Sequence, residues 1–221
     1  MAISHSERMP LLIILGGLPG VGKTSLAREL ARQIGAVHVR IDSIELAIWA
    51  AGAFDRSSDD VGYRVGYAIA ADNLWIGNTV IADSVNLVAV SRAAWRAVAD
   101  GMAAAAVEIE VICSDVEEHR RRVETRVADI PGFLPPTWEE VCSRHYQPWD
   151  RDHLVIDTAG RSIEENVRTI RERCLRHDNI EANQDADAQC VGSPFEVENR
   201  GAAQHKIIKY FNSLTLYTYT M

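Results

Sequence analysis

Cysteine is scarce and scattered in this sequence: Cys113, Cys142, Cys174 and Cys190 form neither a CxxC pair nor a cysteine/histidine couple at ligand spacing. This argues against a zinc module or a disulfide-stapled secreted scaffold, and makes a reducing cytoplasm the expected compartment. Positive charge is also short, with 23 Lys and Arg against 31 Asp and Glu and a formal net charge of -8. A protein that coats a nucleic-acid backbone needs the opposite surplus, and the one dense basic run is His119-Arg120-Arg121-Arg122. Long apolar runs are missing too. Leu11–Leu15 is far too short to cross a bilayer and ends in glycines rather than a cleavage site, so neither a membrane span nor an export signal is expected. A guanine-reading NKxD segment is absent. Asp83 is followed by Ser84 rather than a second acid that would activate water, which removes the usual marks of a GTPase or a motor ATPase.

What is present is a chain of 221 residues with 47% hydrophobic and 24% charged residues, ordinary proportions for one sizeable folded domain. Residues 1–9 read as a flexible arm, 10–177 as the folded domain, and 178–221, rich in Asn, Asp and Gln and then in Tyr and Thr, as an ill-defined extension. Short runs rich in Val and Ile at 11–15, 37–41, 79–83, 107–113 and 153–158 predict strands. Helical spacing or composition predicts helices over 24–34, 43–53, 61–77, 91–104, 116–127, 137–146 and 162–176. Thr137 with Glu140, and Ser162 with Glu165, have the spacing of capping boxes. Alternation of strand and helix predicts an α/β fold with a parallel sheet covered by helices. Asp129–Pro136, broken by proline and glycine, predicts a loop and a candidate lid within about 116–149.

Gly17-Leu18-Pro19-Gly20-Val21-Gly22-Lys23-Thr24, followed by Ser25, has the GxxxxGKT pattern between an apolar strand and a helix. Glycines there let several backbone N–H groups converge at a helix N-terminus, which suits a chain of phosphates; Lys23 reaches the terminal phosphates and the Thr24 hydroxyl can ligate magnesium. ATP with Mg2+ is the expected ligand. Asp42 follows the second strand, on the sheet edge where parallel-sheet proteins bind ligands. It can accept a proton from an attacking hydroxyl, or cap the helix starting at Ser43. Asp83 ends the third strand as a candidate magnesium-side carboxylate or turn residue, with Ser84 and Asn86 as candidate substrate contacts. Arg122 and Arg126, four apart before the proline loop, share a helix face and can clamp transferring phosphate, although Glu118 offers Arg122 a simple surface ion pair. His38, His145 and His153 lack acidic companions at metal spacing and read as structural; Trp138, Tyr146 and Trp149 read as packing near the lid.

Taken together, GLPGVGKTSLARELA, IDS, VIADS, EEHRRRVETR and HYQPWDRDHLVIDTA resemble the small P-loop kinases, the group with chloramphenicol phosphotransferase, zeta-toxin-like kinases and the kinase part of polynucleotide kinases, over residues 10–176. The resemblance implies a three-layer P-loop NTPase fold, five parallel strands in the order 2-3-1-4-5 with helices on both faces and an arginine-bearing helical lid. It also implies a catalytic role for Asp42, and places Asp157, Thr158 and Ala159 near the adenine. The expected activity is transfer of the γ-phosphate to a hydroxyl of a small molecule of antibiotic, sugar or nucleoside type. A polynucleotide 5′-hydroxyl kinase and a non-catalytic nucleotide-responsive module or ATPase stand as alternatives.

Overall fold

The computed structural model describes residues 9–52 and 60–174. Its centre is β1 (Leu11–Gly16), six consecutive buried residues. A strand buried on both faces reads as an unbroken apolar run, and β1 divides its side chains between two cores. Leu11, Ile13 and Leu15 pack with α1 (Lys23–Ile34) and a helix over 163–174 (α7), while Leu12 and Ile14 pack with α3 (Val61–Trp75) and α4 (Ala89–Gly101). The sheet holds β2 (Val37–Arg40), β3 (Val80–Asp83), β4 (Ala105–Ile112) and β5 (Leu154–Asp157), all parallel, in the order β2-β3-β1-β4-β5. The expected architecture and strand order are thus observed. Among the described residues no helix is long and apolar enough to cross a membrane.

The wall beyond β2 depends on glycine. α2 (Ile41–Ala50) lies against α3, and a Cβ at Gly62 would sit 2.2 Å from Glu45 Cγ while one at Gly66 would sit 2.4 Å from Ile41 Cδ1. Two glycines one helical turn apart therefore let the helices approach more closely than any side chain would permit. α2 also begins two residues before the expected Ser43. Arg40 is its N-cap and Asp42 lies inside the first turn, with no side-chain cap bond. Asp42 is thus neither a strand end nor a cap: nothing between Arg40 and Ser43 breaks a helix, and a carboxylate is favoured in a first turn.

α5 (Val116–Glu124) is shorter than expected. Asp115 caps its start by accepting from Glu118 N, and Thr125 at its end turns its hydroxyl back on Arg121 O at 2.7 Å. Arg126 is consequently outside the helix, so it and Arg122 do not share a helix face. α6 (Trp138–Cys142) covers only the first half of its predicted span, started by the expected Thr137/Glu140 capping box. The Ser162/Glu165 pair is present at the start of α7, with Glu165 N to Ser162 Oγ at 3.2 Å and Ser162 N to Glu165 Oε2 at 2.9 Å. The expected arm up to residue 8, position 53 of the second predicted helix, positions 175 and 176 of the seventh and the extension at 178–221 lie outside the described residues.

Behind the lid the chain returns to the sheet through a polar anchor. Arg92 on α4 is fully buried and donates to Asn86 O at 3.1 Å, Gln147 O at 3.2 Å and Pro148 O at 2.9 Å, with its guanidinium 4.7 Å above the Trp149 ring. Trp149 lies against Gly16, where a Cβ would meet its ring at 3.0 Å. Tyr146 OH donates to Glu110 Oε1 at 2.7 Å, and His153, stacked on Trp149, shares Glu110 at 3.1 Å. The packing reading of Tyr146 and Trp149 is what the structure shows. His153, by contrast, has an acidic partner, supplied by a different strand.

Candidate functional site

β1 ends on Gly16 and the chain enters a loop in which Gly17, Gly20 and Gly22 have φ of 134°, 85° and 101°. Side chains are excluded there on two counts. The left-handed region strains any residue with a Cβ, and a Cβ would lie 2.1 Å from Val111 O at Gly17 and 2.5 Å from Val123 Cγ2 at Gly20. The loop is therefore a backbone surface that opens directly into the N-terminus of α1. From the lid side His119, buried on α5, donates through Nε2 to Pro19 O at 2.8 Å, and Trp138 meets its ring edge-on at 5.1 Å. The basic run of the sequence therefore contains a buried loop support, not four surface cations.

Lys23 is buried, and its Nζ donates to Gly17 O at 2.7 Å and Leu18 O at 2.8 Å. Burial lowers its pKa to about 8, against the opposing pull of the Asp83 and Asp42 charges. Asp83, also buried, pairs with His38 Nε2 at 3.0 Å. Burial pushes its carboxyl upward, but the hydrogen bond from His38 and the Lys23 charge outweigh it, with Thr24 adding a further bond, so the net shift is downward. His38 and Asp83 lie on neighbouring strands, and that lateral adjacency is the companion its sequence neighbourhood lacks.

These groups open into one cleft of about 1050 Å3. Pro19, Gly20, Gly22, Lys23, Thr24 and Ser25 form its floor; Asp42, Asp83 and Ser84 line it, as do Arg122, Arg126 and Thr158. That volume matches the upper end of ligand pockets and suits a nucleotide with a small second molecule. Ser84 is buried at the cleft edge, with its hydroxyl directed at that of Tyr63. Asp42 lies 3.6 Å from Arg40 Nη2 and within the electrostatic reach of Lys23.

Several predicted site residues do not reach the cleft. Asn86 is fully buried with φ of 47°, and its Nδ2 donates to Leu15 O at 2.7 Å, so it shapes the loop after β3. Gly17, Leu18 and Val21 turn toward the core. Asp157 accepts from Ser114 N, Ser114 Oγ and Ala159 N, and Ala159 packs on the core, leaving Thr158 as the cleft residue of that trio. Arg122 donates to Thr158 Oγ1 at 2.7 Å, to Thr158 O at 3.0 Å and to Glu118 Oε1 at 2.6 Å. It straps α5 to the end of β5, so the surface ion pair anticipated with Glu118 is part of a larger contact. Arg126 instead stands over the Phe133 ring at 5.2 Å, at the cleft wall.

The donor set fits Mg2+ bound with a nucleoside triphosphate: a positive-φ glycine loop free of side chains at the start of α1, a buried ammonium, and a threonine hydroxyl beside an ionised buried carboxylate. Among the described residues no group of three or more His, Cys, Asp and Glu could hold a metal by protein ligands alone.

The profile of a family described as an AAA domain matches residues 12–132, from β1 into the lid loop. No curated protein matches the chain. Solved structures share the fold at low identity. The Mycobacterium tuberculosis APS kinase CysC in complex with AMPPNP and APS is 21% identical with a TM-score of 0.57, over 74% of this chain and 96% of that one. A gluconokinase from Sinorhizobium meliloti 1021 is 17% identical with a TM-score of 0.56, over 80% and 99%. Chaetomium thermophilum Kti12 in complex with ADP-AlF3 is 22% identical with a TM-score of 0.56, over 75% and 97%.

Proposed function

The chain belongs to the AAA domain family, and from that premise we propose that it is a P-loop kinase that moves the γ-phosphate of ATP to a hydroxyl of a small molecule. One observation carries the reading: Asp42 shares a cleft with the phosphate cradle and lies within the field of Lys23. A carboxylate in that position, with no second acid after Asp83 to activate water, suits a hydroxyl acceptor better than hydrolysis. The likeness to an APS kinase and a gluconokinase supports the fold on which such chemistry runs.

In this reading the loop N–H groups and Lys23 hold the phosphates, Lys23 exchanging its bonds to Gly17 O and Leu18 O for phosphate oxygens. Thr24 and Asp83 would hold Mg2+, which supplies charge neutralisation on the phosphates when bound. Asp42 takes the proton of the acceptor hydroxyl as its oxygen forms a bond to the γ-phosphorus. The bond from that phosphorus to the β–γ bridging oxygen breaks, and ADP leaves with the electron pair. Arg126, at the cleft wall, neutralises charge on the moving group. Arg122 holds Thr158 in place on the nucleobase side. Ser84 offers its hydroxyl to the acceptor.

A screen with labelled ATP against hydroxyl compounds tests this directly. Asp42→Asn is expected to leave ATP binding within a few-fold while reducing transfer by about 10²-fold or more, and Lys23→Ala to weaken both. Label released only as inorganic phosphate, whatever acceptor is added, would replace the kinase with an ATPase. Label on a 5′-hydroxyl oligonucleotide, with binding that falls steeply with salt, would make it a polynucleotide kinase.

A further inference from the structure

The loop that follows Arg126 carries a carboxylate surrounded by cations. Asp129 accepts two bonds from Arg40, Nη1 at 2.7 Å and Nη2 at 3.0 Å, and a further short one from Arg28 Nη2; Arg126 Nη2 stands 4.0 Å away. The arginines come from separate places, α1, the end of β2 and the segment after α5, and converge on one point at the cleft wall. Arg40 is only 5% exposed, and its Nε has no partner among the described residues. A guanidinium taken that far out of water needs an anion on its fork, and Asp42 at 3.6 Å is not on it. Asp83, paired in register with Arg40, adds a third carboxylate to Asp129 and Asp42, so the three guanidinium charges are balanced with Asp129 in place and one is left over when it is displaced.

The anion comes from a loop rather than from a helix or strand. Asp129 sits in a stretch without helix or strand that runs to Thr137 and includes Gly132, Pro135 and Pro136. The tethered carboxylate thus mimics a ligand: it is bidentate on a buried arginine, as a free carboxylate, sulfate or phosphate would be. Sheet order sets this site beside the phosphate cradle: Arg40 is paired in register with Asp83, and Arg126 lies within the electrostatic reach of Lys23. β3 separates β2 from β1, so the end of β2 lies two strands, about 10 Å, from the start of the phosphate loop. Asp42 is two residues from Arg40, on the same side.

We propose that Arg28, Arg40 and Arg126 form an anion subsite for the acceptor, occupied by the chain's own Asp129 until a substrate bearing a carboxylate, sulfate or phosphate displaces it. The assignment to the acceptor rests on the kinase reading; the anion subsite itself does not. It narrows the substrate to hydroxyl compounds that carry an oxyanion, and it makes release of the 129–136 loop a consequence of their binding.

The test is sulfate titration of nucleotide-free protein by calorimetry and thermal shift, at constant ionic strength made up with chloride. Asp129→Asn keeps the side-chain shape without the charge, and Asp129→Ala empties the position. Saturable sulfate binding at least about tenfold tighter in these variants than in the unaltered protein is expected, and it should be lost again when Arg28→Ala is added. Folded variants in which sulfate binds no more tightly than in the unaltered protein, or in which the gain survives Arg28→Ala, would overturn the subsite. Repeating the titration with saturating AMPPNP separates the two sources of such an anion. Persistent sulfate binding supports an acceptor group, and competition would assign the site to the nucleotide's own phosphate and overturn the proposal. Sulfate binding without phosphotransfer to any acceptor would defeat the kinase reading and leave the anion subsite standing.

Discussion

The close contact between α2 and α3 makes a prediction that can be worked from one atom. Replacing Gly66 by Ala adds a methyl 2.4 Å from Ile41 Cδ1 and 3.4 Å from Trp95 Cη2, where carbon atoms prefer about 3.5–4.0 Å. Ile41 and Trp95 are both core residues, with exposures of 2% and 0%, so Cδ1 has little room to rotate away. Overpacking of this kind costs about 2 kcal/mol. Alanine in a helix interior gains about 1 kcal/mol over glycine, so Gly66→Ala should be about 1 kcal/mol less stable than the starting protein. Ile41→Val deletes Cδ1 and on its own should also cost about 1 kcal/mol. Together they should not add. The new methyl fills the space that Cδ1 vacates and the helix keeps its propensity gain, so the double variant should return to within about 0.5 kcal/mol of the parent, a coupling of roughly 2 kcal/mol. Urea unfolding followed by circular dichroism reads this as a midpoint shift of about 0.5 M for each single variant and near zero for the double. Additivity within about 0.5 kcal/mol would refute the reasoning, because it would mean that Gly66 is not where the two helices touch.

Further expectations concern the lid. Arg40, followed by Arg28, holds the Asp129 carboxyl well below the usual carboxylate range despite the opposing effect of burial. A carboxylate depressed in the folded state contributes stability above its unfolded pKa, about 4, and loses it as pH falls toward the folded value. The stability difference between the parent and Asp129→Asn should therefore be constant near neutral pH and shrink below about pH 4 in urea melts; a difference constant to about pH 3 would disprove the coupling. His119→Phe removes the donor to Pro19 O while keeping the contact with Trp138. It should cost about 1–3 kcal/mol in stability and weaken ATP binding by calorimetry, whereas unchanged ATP affinity would show that the phosphate loop does not lean on α5.

Local signals in the chain carry the architecture and little of its long-range pairing. Five short Val- and Ile-rich runs and one glycine-rich loop are local features, and each of those elements stands where its residues predicted. Element ends were less legible. Asp42 at the junction of β2 and α2 suits a strand end, a cap or a first turn equally well, and only the absence of a breaker before Ser43 decides among them. The spacing of Arg126 predicts a place on α5, but the hydroxyl of Thr125 closes the helix first. The pairings that build the site join residues far apart in sequence. His38 meets Asp83 because β2 and β3 are neighbours, Arg40 meets Asp129 across the lid, and Arg92 reaches the carbonyls of Gln147 and Pro148. Asn86 read as a ligand contact because it follows a strand end, and its positive φ and buried amide give it a structural task instead. Strand order alone brings His38 to Asp83, and that order came from the family resemblance.

The full burial of Arg92 has a consequence for how the protein tolerates insertion. Its guanidinium fastens the chain at 147–149 to the sheet, while His119 fastens α5 to the phosphate loop, so the lid is a span between two fixed footings. Extra residues placed between Ile130 and Leu134 would lengthen only the span and leave both footings seated. The same number placed between Arg144 and Trp149 would pull carbonyls off a buried cation and lift an indole from Gly16. A fluorescent tag or affinity handle for following lid position therefore belongs in the first stretch and would unfold the protein in the second.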